Sequence, residues 1–146
     1  MLKQVFLAGL CVFVSVSLSF AQWATPTNVG ATVNSASDDR RPSISSDDNT
    51  LYFSSDRPFG YGGFDIWETT GGPGSWGAPT NIGPQINTID TEFLPSISSD
   101  GNTLYFISDR LGGVGDLDIW ETVRGVGGVW GAPTNLGAPV NSAVTE

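Results

Sequence analysis

Carboxylates are the side chains with which this 146-residue sequence could do acid–base chemistry. It contains no histidine, and its one cysteine is Cys11. A Ser-His-Asp triad, a His-ligated zinc site and a histidine general base are therefore excluded within the chain. Fifteen Asp and Glu stand against six Lys and Arg. This acidic balance argues against nucleic acids and anionic lipid surfaces as partners.

A group of acidic residues near a Gly-rich loop is the candidate metal site. Asp116 and Asp118, together with Asp109 and Asp90, could supply the oxygen ligands that Ca²⁺ prefers. The spacing does not match an EF-hand loop, and acidic turns are commonly only solvated. Calcium binding by these residues is therefore a hypothesis, and no other cofactor is expected.

Two Asp-Arg pairs, Asp56-Arg57 and Asp109-Arg110, could instead form a polar binding rim. The alternative is that each arginine pairs with a nearby carboxylate and fixes a loop; the candidate partners are Glu92, Asp65 and Asp118. A grafted site usually breaks repeat symmetry, whereas this pair occurs in both repeats of the chain. We therefore interpret both pairs as structural.

Aromatic residues accompany these pairs in both repeats. Trp67 and Trp120 are predicted to lie in a third strand, with Tyr and Phe residues in the strand before it. They could stack on a ligand. Packing between adjacent sheets is the interpretation we adopt, because large apolar side chains commonly exclude water at such contacts.

All of these residues belong to a repeat. Residues 95–110 repeat residues 42–57 at an offset of 53, and Asp65-Ile-Trp67 recurs at the same offset as Asp118-Ile-Trp120. An internal period of this size indicates a repeat architecture. A Trp-containing segment occurs three times, at Trp23, Trp76 and Trp130, followed at one constant distance by Asn34, Asn87 and Asn141.

Each repeat predicts four short strands. Residues 96–98 alternate polar and apolar, and Asp100-Gly101-Asn102 supplies a tight turn, with a weaker version at residues 47–49. Residues 104–108 and 118–122 predict the second and third strands, and residues 130–137 an outer fourth strand, where Pro133 is tolerated. Four antiparallel strands are the unit of a propeller blade.

The repeated Ser-x-Asp-Gly-Asn-Thr-Leu-Tyr-Phe-x-Ser-Asp-Arg, followed by Asp-Ile-Trp, resembles the WD40-like β-propeller repeat of TolB-like proteins. The resemblance covers residues 23–146. It implies an all-β fold, here a partial β-propeller of two four-stranded antiparallel blades, of the six-bladed type if completed. It also implies a bacterial envelope protein. We place repeat 1 at about residues 31–83, repeat 2 at about 84–137, and the start of a third repeat at 138–146.

The first 21 residues predict a secretory signal peptide. A short positive region ends at Lys3, residues 5–18 are apolar, and residues 19–21 offer a small-residue cleavage site before Gln22. An uncleaved membrane anchor is the alternative, but the apolar stretch is short of the ~20 residues that a span needs. We expect a secreted or periplasmic chain, residues 22–146, with no membrane span after cleavage.

These features favour an exported, non-catalytic repeat module that binds a protein or the cell envelope. The alternatives are a propeller fragment of a larger hydrolase or peptidase, and a carbohydrate-binding propeller that uses exposed aromatics. Two blades cannot close a ring, and about three repeats are generally needed to bury a continuous core. We therefore expect self-association, three copies making a six-bladed ring, or poor folding without a partner.

Overall fold

The computed structural model describes residues 24–143. These residues form two four-stranded antiparallel sheets and no α-helix, which confirms the predicted all-β class with two four-stranded sheets. Consequently no helix in this range is long and apolar enough to cross a membrane. The predicted signal peptide and Trp23 lie outside the described residues.

The first sheet is formed by consecutive strands in the order β1-β2-β3-β4. The strands are β1 (Asp39–Ile44), β2 (Thr50–Ser55), β3 (Asp65–Thr70) and β4 (Thr80–Asn81). The hairpin between β1 and β2 is closed where the amide of Ser45 donates to the carbonyl of Thr50 at 2.8 Å. In this turn Asp48 has left-handed backbone, with φ of 59°.

The second sheet repeats the first in the order β5-β6-β7-β8. Its strands are β5 (Glu92–Ile97), β6 (Thr103–Ser108), β7 (Asp118–Val123) and β8 (Thr134–Asn135). The predicted turn at Gly101 is present with φ of 73°, in the place that Asp48 holds in the first sheet. Glycine adopts this conformation without a steric penalty.

Two predicted strand boundaries are wrong. The outer strand covers only Thr134–Asn135, not residues 130–137. Pro133, directly before it, has no amide hydrogen to donate to the sheet. After the strand, the Asn135 side chain accepts from the Gly137 amide at 2.8 Å in a turn. The inner strand begins at Glu92, not at Ser96. It continues through an irregularity between Phe93 and Ser96, where Leu94 has φ of 49°.

The apolar residues of the strands alternate between two faces of each sheet. On the front face of the first sheet, Val33, Leu51, Phe53 and Trp67 form a cluster with Trp76 packed on it, which we name the front cluster. The back face carries Tyr52 and Ile66.

The second sheet stacks its own front face on that back face. The resulting inter-sheet cluster consists of Tyr52, Ile66, Ile86, Leu104, Phe106, Trp120 and Trp130. Trp120 therefore packs between the sheets, whereas its counterpart Trp67 lies in the front cluster. Within residues 24–143 the two sheets stack without closing into a ring.

Candidate functional site

An apolar pocket opens on the front face of the first sheet. Its volume is about 660 Å³, and Leu51, Phe53 and Trp76 of the front cluster line it together with Ile44 of β1. Ile44 is 43% exposed. An exposed concave apolar surface of this kind is the usual mark of a binding site.

The same face of the second sheet shows what this pocket lacks. There, the back face of the first sheet covers the cluster, with the Tyr52 ring edge-on to Trp130 at a centroid distance of 6.3 Å. The Arg124 guanidinium lies over the Trp130 ring at 4.4 Å and donates to the Tyr52 hydroxyl. Tyr52 is only 1% exposed as a result.

A second exposed apolar surface lies on the back face of the second sheet. Tyr105, at the position equivalent to Tyr52, is 37% exposed. Ile107 and Ile119 lie on the same face and are half-buried. The described chain thus exposes, at its two ends, the two complementary surfaces that it buries against each other in its middle.

The arginines of the two Asp-Arg pairs lie inside the fold. Arg110 contacts Glu92 at 3.0 Å and donates to the carbonyl of Ile86, while its guanidinium carbon lies 4.9 Å from the Phe106 ring centroid. Glu92 is one of the three partners that the sequence suggests. Arg57 is placed in the same way, 2.6 Å from Asp39 and 2.8 Å from the carbonyl of Val33.

The environment of Asp39 favours its charged form. Burial by itself raises the pKa of Asp39, but hydrogen bonds from Ser55, Arg57 and Ser35 lower it from the ordinary 3.8 to about 2. Asp39 is therefore a structural anion at neutral pH. A carboxylate engaged in this way has no proton to exchange near neutral pH and is a poor general acid or base.

The aspartates of the two pairs cap backbone amides. Asp56 accepts from the amide of Asp38 and Asp109 from the amide of Thr91, both at 2.8 Å. Each contact joins the end of the second strand of a sheet to the loop before its first strand. The geometry favours a loop-fixing role for these aspartates over a ligand-binding rim.

The four calcium candidates are not brought together as a ligand set. Within residues 24–143 no group of three or more His, Cys, Asp or Glu side chains is placed to hold a metal ion. Asp118 is buried and accepts from the amides of Val114 at 2.6 Å and Gly115 at 3.2 Å. Asp116 is exposed, and Asp90 engages Gly63 through its backbone carbonyl at 3.1 Å. Calcium binding stays an untested hypothesis.

Sequence reasoning missed the role of the repeated asparagines. Asn87 donates to the carbonyl of Ile66 and accepts from its amide, at 2.9 and 2.8 Å, and also donates to Asn81 at 2.8 Å. Asn141 makes the equivalent contacts with Ile119 and Asn135, each at 2.9 Å. The constant spacing of these asparagines was the available signal, since buried polar side chains are held by hydrogen bonds.

A third exposed feature is the aromatic loop between β2 and β3. Phe59 is 96% exposed and has left-handed backbone with φ of 74°, where the second repeat has Gly112 with φ of 95°. Tyr61 in the same loop is 48% exposed. A bulky residue in this backbone region is an outlier, and such outliers concentrate at functional sites.

No protein-family model matches the sequence. No curated protein matches it either.

Proposed function

We propose that this chain is an exported, non-catalytic repeat module that binds a protein or an envelope component through the open front face of its first sheet. The observation that carries this proposal is the 660 Å³ apolar pocket over Phe53 and Trp76. The equivalent surface of the second sheet is covered by an ordered protein surface. A pocket built on the same repeat is suited to accept a surface of the same kind.

The inventory of side chains supports a non-catalytic role. The sequence has no histidine, and its single cysteine lies in the predicted signal peptide. Asp39 and Glu92 are each paired with an arginine, and Asp118 accepts backbone amides. A glycosidase needs two carboxylates placed across a substrate pocket, and the residues lining the 660 Å³ pocket include one carboxylate, Asp39.

The architecture is compatible with the TolB-like resemblance. Two four-stranded antiparallel meanders packed face to face are the arrangement expected of neighbouring propeller blades. We propose that the two sheets are blades of this kind. The proposal places the chain among envelope proteins, in agreement with the predicted signal peptide.

Carbohydrate binding is the second candidate function, and the aromatic loop favours it. Phe59 and Tyr61 project side chains into solvent from a single loop. Exposed aromatic rings of this kind can stack on the apolar faces of sugars. Binding on a glycan array that is lost with Phe59→Gly would favour this function over binding at the front face.

A screen of the purified chain against esterase, peptidase and glycosidase substrates tests the non-catalytic proposal. We expect no turnover above a buffer control. Activity that co-purifies with the chain through successive columns, and that disappears when one carboxylate is replaced by its amide, would overturn the proposal.

Export has a separate test. We expect a mature chain that begins at Gln22, and we expect secretion to fail with Leu7→Arg, which places a charge in the apolar region of the signal peptide. Intact mass spectrometry of the secreted chain checks the cleavage position. Met1 retained on an exported chain would contradict it.

A further inference from the structure

One short turn occurs three times in the described chain, at residues 30–34, 83–87 and 137–141; we name it the linker turn. In each, two successive amides donate to the carbonyl of the first glycine, at distances between 2.8 and 3.2 Å. The penultimate residue is apolar in all three, namely Val33, Ile86 and Val140. Each linker turn follows the outer strand or its equivalent segment.

The first two linker turns insert their apolar residue into a cluster, and the third does not. Val33 is 3% exposed in the front cluster and Ile86 is 0% exposed between the sheets. Val140 is 47% exposed. It belongs to the same end of the molecule as Tyr105, so this end carries an unburied copy of the surface formed by Tyr52 and Ile86.

We propose that this surface docks head to tail on the front face of the first sheet in a second copy of the chain. In the contact, residues 134–141 of one copy take the place of residues 27–34 of the other, so that Val140 replaces Val33. The inference rests on the proposed function, because it names the partner of the same front-face pocket.

The two segments are nearly identical, which makes the exchange possible. Residues 27–34 read TNVGATVN and residues 134–141 read TNLGAPVN, so six of eight positions agree. Like contacts therefore replace like contacts when residues 134–141 of one copy displace residues 27–34 of the other. Within residues 27–34, Val33 is buried, whereas residues 27–29, 31 and 32 are exposed, so the surface uncovered on release is mainly that of Val33, which Val140 covers again.

The groups that form hydrogen bonds between the two sheets have equivalents on the two exposed surfaces of the molecule. The amide of Ile97 donates to the Ser43 hydroxyl at 3.1 Å, and the Ser46 hydroxyl donates to the carbonyl of Ser99 at 2.7 Å. At a contact between copies, the backbone amide of Ile44 in one copy would donate to the Ser96 hydroxyl of the other. Ser99 would likewise donate to the carbonyl of Ser46.

At least two contacts differ, and both weaken the association. The rings of Phe64 and Phe93 pack between the sheets at a centroid distance of 4.9 Å, whereas the equivalent residues at the contact between copies are Leu117 and Arg40. Gly71 occupies the position equivalent to Arg124. The hydroxyl of Tyr105 would therefore lack the cationic donor that Tyr52 has. We expect the contact between copies to be weaker than the contact between the sheets, and to be reversible.

Sedimentation velocity over a range of concentrations tests the proposal with two variants. Ile44→Asp alters the front face and Tyr105→Asp alters the opposite end. Each is expected to raise the dissociation constant of self-association by at least about tenfold, since a charge would be buried at the contact. An equimolar mixture of the two should form a dimer, because one contact in that pair is intact. Val126→Asp, at a fully exposed loop residue, is the matched control and should behave as wild type.

One further result is expected of a head-to-tail contact. Val33→Ala truncates the buried side chain that anchors residues 27–34 in the front cluster, so it should ease release of the segment and strengthen association. Circular dichroism checks that each variant is folded. If Ile44→Asp does not fold, Ile44→Thr is used in its place, and Tyr105→Ser is used in the same way for Tyr105→Asp.

Several outcomes would overturn the inference. They are a wild-type chain that stays monomeric, an association that survives Tyr105→Asp, a mixture that does not dimerise, or no strengthening with Val33→Ala. A wild-type monomer would leave the non-catalytic binding function standing. Turnover in the substrate screen would overturn that function without removing self-association.

Discussion

Arg124, one residue beyond β7, donates a hydrogen bond to the hydroxyl of Tyr52 in β2 and so joins the two sheets. The contact lies beside the Trp130 ring, 4.4 Å from the guanidinium carbon to the ring centroid. It has no counterpart in the first repeat, where Gly71 takes the arginine position. The stacking of the two sheets therefore uses a polar contact that the repeat pattern does not predict.

Removing the Tyr52 hydroxyl should destabilise the fold. We expect Tyr52→Phe to lower the free energy of unfolding by about 1.5–3 kcal/mol, the range for a hydrogen bond to a charged group. Urea denaturation measures the change, and Arg124→Met completes a double-mutant cycle. Tyr105→Phe, at the equivalent and more exposed position, is the control. An equal loss in both variants would contradict a specific role for the Arg124 contact.

The turn between the first two strands offers a substitution that should stabilise the chain. Asp48→Gly is expected to raise the free energy of unfolding by about 0.5–1 kcal/mol, because Asp48 has left-handed backbone that glycine adopts without steric cost. The reverse change, Gly101→Asp, should destabilise the second turn by a similar amount. Thermal unfolding of both variants checks the prediction, and shifts of the same sign would refute it.

Stability should fall in acid because of Asp39. The pKa of this carboxyl is about 2 in the folded chain and 3.8 ordinarily, so the unfolded state binds the proton more readily. The contribution of Asp39 is therefore complete above about pH 4 and is lost as the pH falls towards 2. Melting temperatures between pH 6 and 2 should show this loss in wild type and a smaller one in Asp39→Asn.

Asp39→Glu is the matched control for the acid dependence. Glutamate already pairs with the equivalent arginine in the second repeat, as Glu92 does with Arg110. This variant should keep a steep acid dependence. A wild-type profile in Asp39→Asn would show that other groups govern acid stability.

The loop before β7 requires glycine at position 113 for steric reasons. A Cβ on Gly113 would lie 1.8 Å from the Asp118 carboxylate oxygen that accepts from the Val114 amide. We expect Gly113→Ala to lower the free energy of unfolding by about 1–3 kcal/mol, as overpacking does. Gly125→Ala is the control, since its Cβ would meet ordinary contact at 3.6 Å. Equal effects in urea denaturation would contradict this explanation.

Phe59 should be unfavourable for stability. Phe59→Gly gives the first repeat the residue that the second has at this place, Gly112, and removes the strain of left-handed backbone. We expect the free energy of unfolding to rise by about 0.5–1 kcal/mol. A fall measured by thermal denaturation would mean that the exposed ring stabilises the fold.

The sequence predicts the sheets of this protein better than their edges. The offset of 53 residues, the turn at Gly101 and the apolar alternation around Phe106 suffice for the three long strands of each sheet. The short outer strand β8 is followed by a turn in which the Asn135 side chain accepts from the Gly137 amide. The turn propensity of asparagine alone does not indicate which backbone amide its side chain will accept from.

The candidate site follows the same division. The sequence identifies Arg110 and Glu92 as a possible pair, but it does not say that Arg110 also contacts the carbonyl of Ile86. The sequence predicts the same exposure for Tyr52 and Tyr105, because they occupy the same position in the repeat. Their different exposure depends on which sheet has a neighbour, and only the three-dimensional arrangement decides that.

The contact of each arginine with a linker turn bears on how such a chain could lengthen. Arg57 contacts the carbonyl of Val33, and Arg110 contacts that of Ile86, so an arginine ties each of the first two linker turns to the sheet that follows it. The natural unit of duplication is then residues 30–82, inserted ahead of Gly83. A gene extended in such units would encode more sheets while its first and last surfaces kept the same residues. The chemistry of the two ends would then be inherited independently of the number of sheets between them.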